Sequence, residues 1–296
     1  MSEQSETMNQ ATTWSQKWLA IKQITRMDKP IGTYLLLWPT FWALWLASDS
    51  FPSFHLLIVF SLGVFIMRSA GCVINDYADR HVDGKVKRTA QRPLVSGMMT
   101  SHQALTLFGL LIGAALGLVL TLSWFTIGLS VIALLLAACY PFMKRYTHLP
   151  QVVLGAAFSW GMIMAFGEIR GEITSVAWLL FFANLSWTVA YDTMYGMVDR
   201  DDDVLIGVKS TAILFGQHDK RIVGLLQLIT LALLFTVGEL QAFGWPYQLS
   251  LVIAAGFFCY QQMLIVNRER HACFQAFLNN HWVGLIIFVG IYIEYL

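Results

Sequence analysis

Nine apolar runs, each long enough to cross a bilayer, restrict this chain to a polytopic helical bundle. They lie at 31–49, 54–75, 104–122, 125–142, 150–168, 175–195, 222–241, 247–265 and 280–296. An α-helix rises about 1.5 Å per residue, so about 20 residues cross about 30 Å of hydrocarbon. Inside that layer backbone groups find partners only within helices or closed barrels. The chain of 296 residues is 57% hydrophobic and 12% charged, whereas soluble domains carry roughly 25% charge. Long polar segments (76–103, 196–221, 266–279) alternate with short turns such as Ser123-Trp124 and 243–247, as in a series of helical hairpins. The expected fold class is therefore an all-α polytopic membrane protein of nine transmembrane helices. Residues 31–296 form its single transmembrane domain, and residues 1–30 form a separate N-terminal segment.

That segment spaces Lys17, Lys22, Arg26 and Lys29 among Trp14, Trp18, Leu19 and Ile21, without the apolar core and cleavage site of a signal peptide. It reads as a cytoplasmic, partly amphipathic lead-in helix. Basic residues favour the cytoplasmic side, and all but two of the 19 lysines and arginines fall on the side of the N-terminus. Only Arg170 lies opposite, and Arg68 lies inside the second span. The long loops are thus expected in the cytoplasm. Cys72, Cys139, Cys259 and Cys273 are scattered without a CxxC pair and read as packing residues. Net charge is +1 and the charges are grouped at span ends, so the bilayer is the expected macromolecular environment and nucleic acid is not an expected partner.

The acidic residues are less evenly spread. Eight of 18 fall in two windows: Asp76, Asp79 and Asp83, then Asp192, Asp199, Asp201, Asp202 and Asp203. At 100° per residue, positions 76, 79 and 83 lie within about 60° of one another, and 192, 199 and 203 within about 40°. Like charges on one helix face repel, and both clusters end a span, where the helix dipole is already negative. A positive charge absent from the sequence is the expected resolution. Carboxylates at this spacing can share a hard divalent cation, and Mg²⁺ is held by one or two carboxylates with phosphate oxygens and water. Asn75 adds a neutral oxygen beside Asp76.

The clusters echo one another. Asp79 and Asp83 recur as Asp199 and Asp203, and Val86-Lys87-Arg88-Thr89 is faintly repeated at Val208-Lys209-Ser210-Thr211. Each cluster closes the second span of a four-span block. This suggests two four-helix halves plus one helix around a central cavity, with Asp-rich motifs in cytoplasmic caps. Two acidic faces across one cavity make a clamp for a polyphosphate. A cation-coupled transporter also carries intramembrane carboxylates, but usually near the bilayer midplane on interrupted helices; here they sit at helix ends beside basic loops.

Five stretches resemble the intramembrane UbiA prenyltransferase superfamily: DKPIGTYLLLWPTFWALW (28–45), MRSAGCVINDYADRHVDGKVKRTAQRPLVSG (67–97), YPFMKRYTHLPQVVLGAAF (140–158), AYDTMYGMVDRDDDVLIGVKSTAILFGQ (190–217) and NRERHACF (267–274). The first Asp-rich motif fits NDxxDxxxD at Asn75, Asp76, Asp79 and Asp83; the second fits DxxxD at Asp199 and Asp203. Some relatives carry YxxxKxxxD there, but this chain has Tyr191, Tyr195 and Asp199, without lysine at 195, which points toward the 4-hydroxybenzoate branch; homogentisate, a naphthoate or haem stay open as alternative acceptors, because the motifs shared by all branches do not separate them.

The resemblance implies Mg²⁺-dependent transfer of a polyprenyl group from its diphosphate to the carbon ortho to the hydroxyl of 4-hydroxybenzoate, in ubiquinone biosynthesis at a bacterial inner membrane. It implies metal ligation by Asn75, Asp76, Asp79, Asp83, Asp199 and Asp203. Lys85, Arg80 and Lys209 become candidates for the phosphates. Arg145, a planar guanidinium beside Lys144, becomes the candidate for the acceptor carboxylate. Arg68, costly inside a membrane, is expected to face the cavity and pair with an aspartate. Asp192, two turns deeper than Asp199, would orient the phenol or take its proton. An allyl cation needs dry, aromatic walls, for which Tyr140, Phe158, Trp160, Trp187, Tyr191 and Tyr195 are candidates. The prenyl tail needs a sideways opening to the bilayer. The small-residue patches Gly155-Ala156-Ala157 and Gly113-Ala114-Ala115 are expected to allow close helix packing near that wall.

Overall fold

A computed structural model describes residues 14–81, 83–85 and 89–296, apart from the side chains of Lys85 and Ile206. All regular structure among the described residues is helical, with eleven α-helices: α1 (Trp14–Ile24), α2 (Ile31–Ser48), α3 (Phe54–Asp79), α4 (Ser101–Val119), α5 (Trp124–Tyr146), α6 (Pro150–Arg170), α7 (Ser175–Ile206), α8 (Thr211–Phe215), α9 (Asp219–Leu240), α10 (Trp245–Leu264) and α11 (Arg270–Glu294). Eight stretches among them are long and apolar enough to cross a membrane: α2 to α6, the α8–α9 stretch, α10 and α11. The chain is a multi-pass membrane protein. The sixth apolar run lies on α7, a helix of 32 residues that continues past it.

Local chemistry sets the helix ends. Ser53, Ser123, Thr174 and Ser210 each accept a hydrogen bond from a backbone N–H in the first turn of α3, α5, α7 and α8. Thr100 and Gln103 form a reciprocal capping box that starts α4 three residues before its apolar run. Pro150 occupies the first turn of α6, where its missing N–H costs nothing. Gly207 ends α7 at φ +71°, a left-handed position that favours glycine.

The core lies where α2, α7 and α11 meet. Trp42 and Trp187 are fully buried and stacked at 5.6 Å between ring centroids. The Trp42 indole donates to the Gly284 carbonyl at 3.0 Å. A Cβ at position 284 would lie 3.0 Å from Trp187, so glycine admits this approach. Gly155 acts similarly: a Cβ there would meet the Leu185 carbonyl at 3.1 Å, and α6 lies tight on α7. The second small-residue patch differs from expectation, because Gly113 faces open space and only Ala115 of that trio is buried.

On the outside of the bundle, α1 packs Ala20 and Ile24 against Val73, Met99 and Ala104, while Trp14 and Trp18 are exposed. Of the lead-in helix expected over residues 1–30, the described part runs over 14–24 and has one buried and one exposed side. Cys72 and Cys273 are buried as expected of packing residues, but Cys139 and Cys259 face outward.

Candidate active site

A cavity of about 1650 Å³ runs between α2, α3, α4, α5, α6, α7 and the start of α11. Its polar end takes Asn75, Asp76 and Asp79 from the last turns of α3, Asp83 from the following 3₁₀ turn, and Asp192, Asp199 and Asp203 from α7. Its other end is apolar, lined by residues such as Val59, Phe60, Leu118, Leu122, Ala133 and Met164. The second cluster lies on a continuous helix, as its spacing predicts. The first does not: α3 stops at Asp79, so Asp83 leaves the helix face it would share in an unbroken helix.

Asp83 returns to its neighbours through Arg92. The Arg92 guanidinium lies 2.9 Å from Asp76 Oδ1 and 2.7 Å from Asp83 Oδ2. Arg26, at the end of α1, donates to both Asp76 oxygens at 2.8 and 2.9 Å. Lys144 of α5 donates to Asp79. The positive charge demanded by the first cluster is thus supplied, in this arrangement, by three residues of the chain itself. Burial pushes the Asp83 carboxyl above the usual carboxylate range; Arg92 opposes that shift, and Asp79 and Asp76 add to it.

Arg26, Arg92 and Lys144 reach the cluster from other segments of the chain, so their pairing with it is not visible in the order of residues. By sequence position Arg26 belongs to the lead-in segment, Lys144 lies with Arg145 within reach of both acidic clusters, and Arg92 is one of the cytoplasmic charges of 76–103. A basic residue just past an amphipathic or apolar run is the signal for Arg26 and Lys144, and it does not distinguish a site partner from a topology marker; Arg92, inside the polar segment 76–103, has no such signal.

The remaining candidates divide clearly. Arg68 lines the cavity against Gly32 of α2, within electrostatic reach of Tyr140, Tyr191, Tyr195 and Asp192. Among the described residues it forms no ion pair as close as those of the first cluster. Arg145 lines the cavity rim and donates to the Ala78 carbonyl at 2.8 Å. Lys209 also lines it, with its ammonium on the Tyr146 carbonyl at 3.2 Å. Arg80 is outside the lining; it folds over the Tyr77 ring at 4.1 Å and donates to the Tyr77 carbonyl. The Lys85 side chain, with Val86, Lys87 and Arg88 of the first echo, lies outside the described residues.

Of the aromatic candidates, Tyr140, Phe158, Tyr191 and Tyr195 line the cavity. Tyr191 accepts a hydrogen bond from Thr188 at 3.1 Å and sits edge-on to Trp187. Trp187 and Trp160 serve packing instead: their indoles donate to Asn280 at 2.8 Å and to the Leu129 carbonyl at 2.9 Å.

The donor set suits Mg²⁺. Asp76, Asp79, Asp83 and Asp199 are buried carboxylates opening on one cavity, with Asn75 beside them. Among the described residues no three His, Cys, Asp or Glu side chains converge to hold an ion by themselves. Such a set fits an ion that takes one or two carboxylates and completes its shell with phosphate oxygens and water.

The profile of the UbiA prenyltransferase family matches residues 36–284. The chain is 76% identical over 281 residues to a 4-hydroxybenzoate octaprenyltransferase of Colwellia psychrerythraea, covering 95% of this chain and 98% of that one. It is 63% identical over 275 residues to the protein of that name from Tolumonas auensis, covering 93% and 96%. Among solved structures, a UbiA homolog from Aeropyrum pernix superposes with a TM-score of 0.79 at 25% identity, over 89% of this chain and 98% of that one. A UbiA homolog from Archaeoglobus fulgidus, bound to GPP and Mg²⁺, shares the fold with a TM-score of 0.67 at 15% identity, over 90% and 99%.

Proposed function

The chain belongs to the UbiA prenyltransferase family, and from that premise we propose that it transfers a polyprenyl group from polyprenyl diphosphate to 4-hydroxybenzoate. The octaprenyl group in the names of the relatives is the donor we favour. One observation carries the reading: two acidic clusters, from α3 and α7, open on a single cavity whose far end is apolar. A long allylic diphosphate has the same division of character.

In the proposed reaction the bond between the allylic carbon and diphosphate oxygen breaks. The ring carbon ortho to the hydroxyl bonds to the allylic carbon and loses its proton, leaving 3-polyprenyl-4-hydroxybenzoate and diphosphate. Mg²⁺ held by oxygens of Asn75, Asp76, Asp79, Asp83, Asp199 and Asp203 would neutralise charge on the leaving diphosphate. Lys209 would donate to the phosphates at the rim; Lys85 and Arg80 were the other candidates, and Arg80 would first have to leave Tyr77. Tyr140, Tyr191 and Tyr195 would face the allylic cation and exclude water. Arg68 and Arg145 are the guanidinium groups available for the acceptor carboxylate. Asp192 would accept the proton or orient the phenol.

We further propose that α7 is the ninth span, that α2–α5 and α6–α10 are related halves with α11 appended, and that residues 31–296 act as one domain. Equivalent placement of α3 and α7, each ending in an acidic motif at the same cavity, supports this reading. The distribution of Lys and Arg supports a cytoplasmic site, and the bacterial relatives support placing it in an inner membrane.

The test uses membranes containing the full chain, 4-hydroxybenzoate and polyprenyl diphosphates of several lengths. Prenylated 4-hydroxybenzoate should form with Mg²⁺ and cease with EDTA. Absence of that product with Mg²⁺ at every chain length would refute the proposal; uptake of a solute into vesicles would favour a transporter.

A further inference from the structure

The segment DRDDD at 199–203 has two faces. Asp199 and Asp203 line the cavity, whereas Arg200, Asp201 and Asp202 do not. Apolar packing of α7 against α9 and α11 reaches Val198. Beyond it Val204 and Leu205 are exposed, at 58% and 84%. The last two turns of α7 therefore need another restraint.

That restraint is ionic. Asp219, at the first turn of α9, is fully buried. It receives the Arg268 guanidinium in a two-pronged contact, Nε to Oδ2 at 2.8 Å and Nη2 to Oδ1 at 2.7 Å. Arg200 of α7 reaches the same carboxylate at 3.4 Å and the Gly216 carbonyl at 3.5 Å. The Lys220 backbone N–H donates to Asp219 Oδ1 at 2.7 Å. Arg268 occupies the left-handed region at φ +56°, unfavourable for a residue with a side chain, and its Nη2 also donates to the Gln217 carbonyl at 3.0 Å. Two residues on, Arg270 bonds Asp202 at 3.0 and 3.2 Å and Asp201 at 3.3 Å. Thus the α10–α11 connection grips the outer face of α7, and the buried fixed point of that grip is Asp219.

We propose that Asp219 is a positioning residue for prenyl transfer: through Arg200 and Arg268 it holds the end of α7 so that Asp199 and Asp203 face the cavity. The role rests on the reading of that cavity as the diphosphate site. It is separate from the metal and substrate contacts, because Asp219 is absent from the lining. It concerns the diphosphate half of the site only, so the 4-hydroxybenzoate half serves as an internal control.

The test compares the full chain with Arg200→Gln, Arg268→Gln and Asp219→Asn. Arg200 and Arg268 share the buried Asp219, so each single arginine variant leaves that carboxylate one guanidinium partner and should fold even if Asp219→Asn does not accumulate. Expected are rises of about tenfold in KM for polyprenyl diphosphate and in the Mg²⁺ concentration for half-maximal activity, within what a misplacement of about 1 Å costs, with KM for 4-hydroxybenzoate unchanged. Arg268→Lys, which keeps the charge, should restore part of the loss.

A second readout needs neither metal nor turnover. Spin labels at positions 205 and 266, in a chain with the exposed Cys139 and Cys259 replaced by alanine, should give a broader distance distribution in Arg268→Gln than in the parent. Unchanged distances with unchanged diphosphate KM would overturn the proposal. So would a fall in kcat alone with a lowered thermal midpoint, which denotes a merely structural role. If the parent chain made no prenylated product, the reading of the cavity would fall instead, while the distances would still decide whether Asp219 anchors α7.

Discussion

At the scale of single residues, the first cluster combines two demands that usually conflict. Asp79 and Asp83 are buried, yet each already has a cationic partner, Lys144 and Arg92. Removing one member of a fully buried pair costs about 3–5 kcal/mol because the other charge is left uncompensated. Here the lysine and arginine side chains retain 26% and 15% exposure, so water can take up part of that charge. Asp79→Asn and Asp83→Asn should therefore fold while losing turnover by about 10²–10³-fold, the usual effect of removing one charge-stabilising group. Product formation and a thermal melt on the same preparation check this; a collapsed melt would make the carboxylates structural. Asp192 differs in kind, since it lies deeper on α7 and forms none of the ion pairs described for the first cluster. Asp192→Asn should lower kcat with little change in KM for the diphosphate, and steady-state kinetics with each substrate varied in turn would show undiminished turnover if the role is wrong.

At the scale of elements, hydropathy located the helices and side-chain partners moved their ends. The run at 280–296 begins ten residues later than α11. The reason is that Arg270, His271, Gln275 and Asn279 depress hydropathy over 270–279, although Asn279 accepts a hydrogen bond from Gln261 inside the bundle. The Asp199 and Asp203 placement was legible because it depends on one unbroken helix. The Arg92 bridge was not, since it depends on how a loop folds back over a helix end. Gly207 is the hinge between these cases: it terminates α7 four residues after Asp203 at φ +71°. Gly207→Ala puts a Cβ in the left-handed region at a cost of about 1–2 kcal/mol. Fraying should then spread into the turn that carries Asp203. Hydrogen exchange of 199–208 should accelerate, with a smaller change in α2 or α11; uniform exchange along the chain would contradict it.

At the scale of the molecule, the cavity joins opposite chemistries along the length of α3. From Asp76 to Val59 on α3 it spans about 25 Å at 1.5 Å per residue. Arginines and aspartates line one end and aliphatic side chains the other. A prenyl diphosphate placed with its charge at the aspartates must run its chain down this path, so the far wall meets the tail rather than the reacting carbon. Ala115 of α4 lies on that wall and is 8% exposed. Ala115→Phe adds bulk where only the distal units of a long donor would reach. Overpacking at such a site costs about 1–3 kcal/mol, and here the cost falls on the bound chain. The variant should therefore keep its turnover with a short prenyl diphosphate and lose it with a long one, which competition between two donors for limiting 4-hydroxybenzoate reads directly. Equal loss with both donors would place the reacting carbon, not the tail, against α4, and would reverse the orientation of the substrate in the cavity.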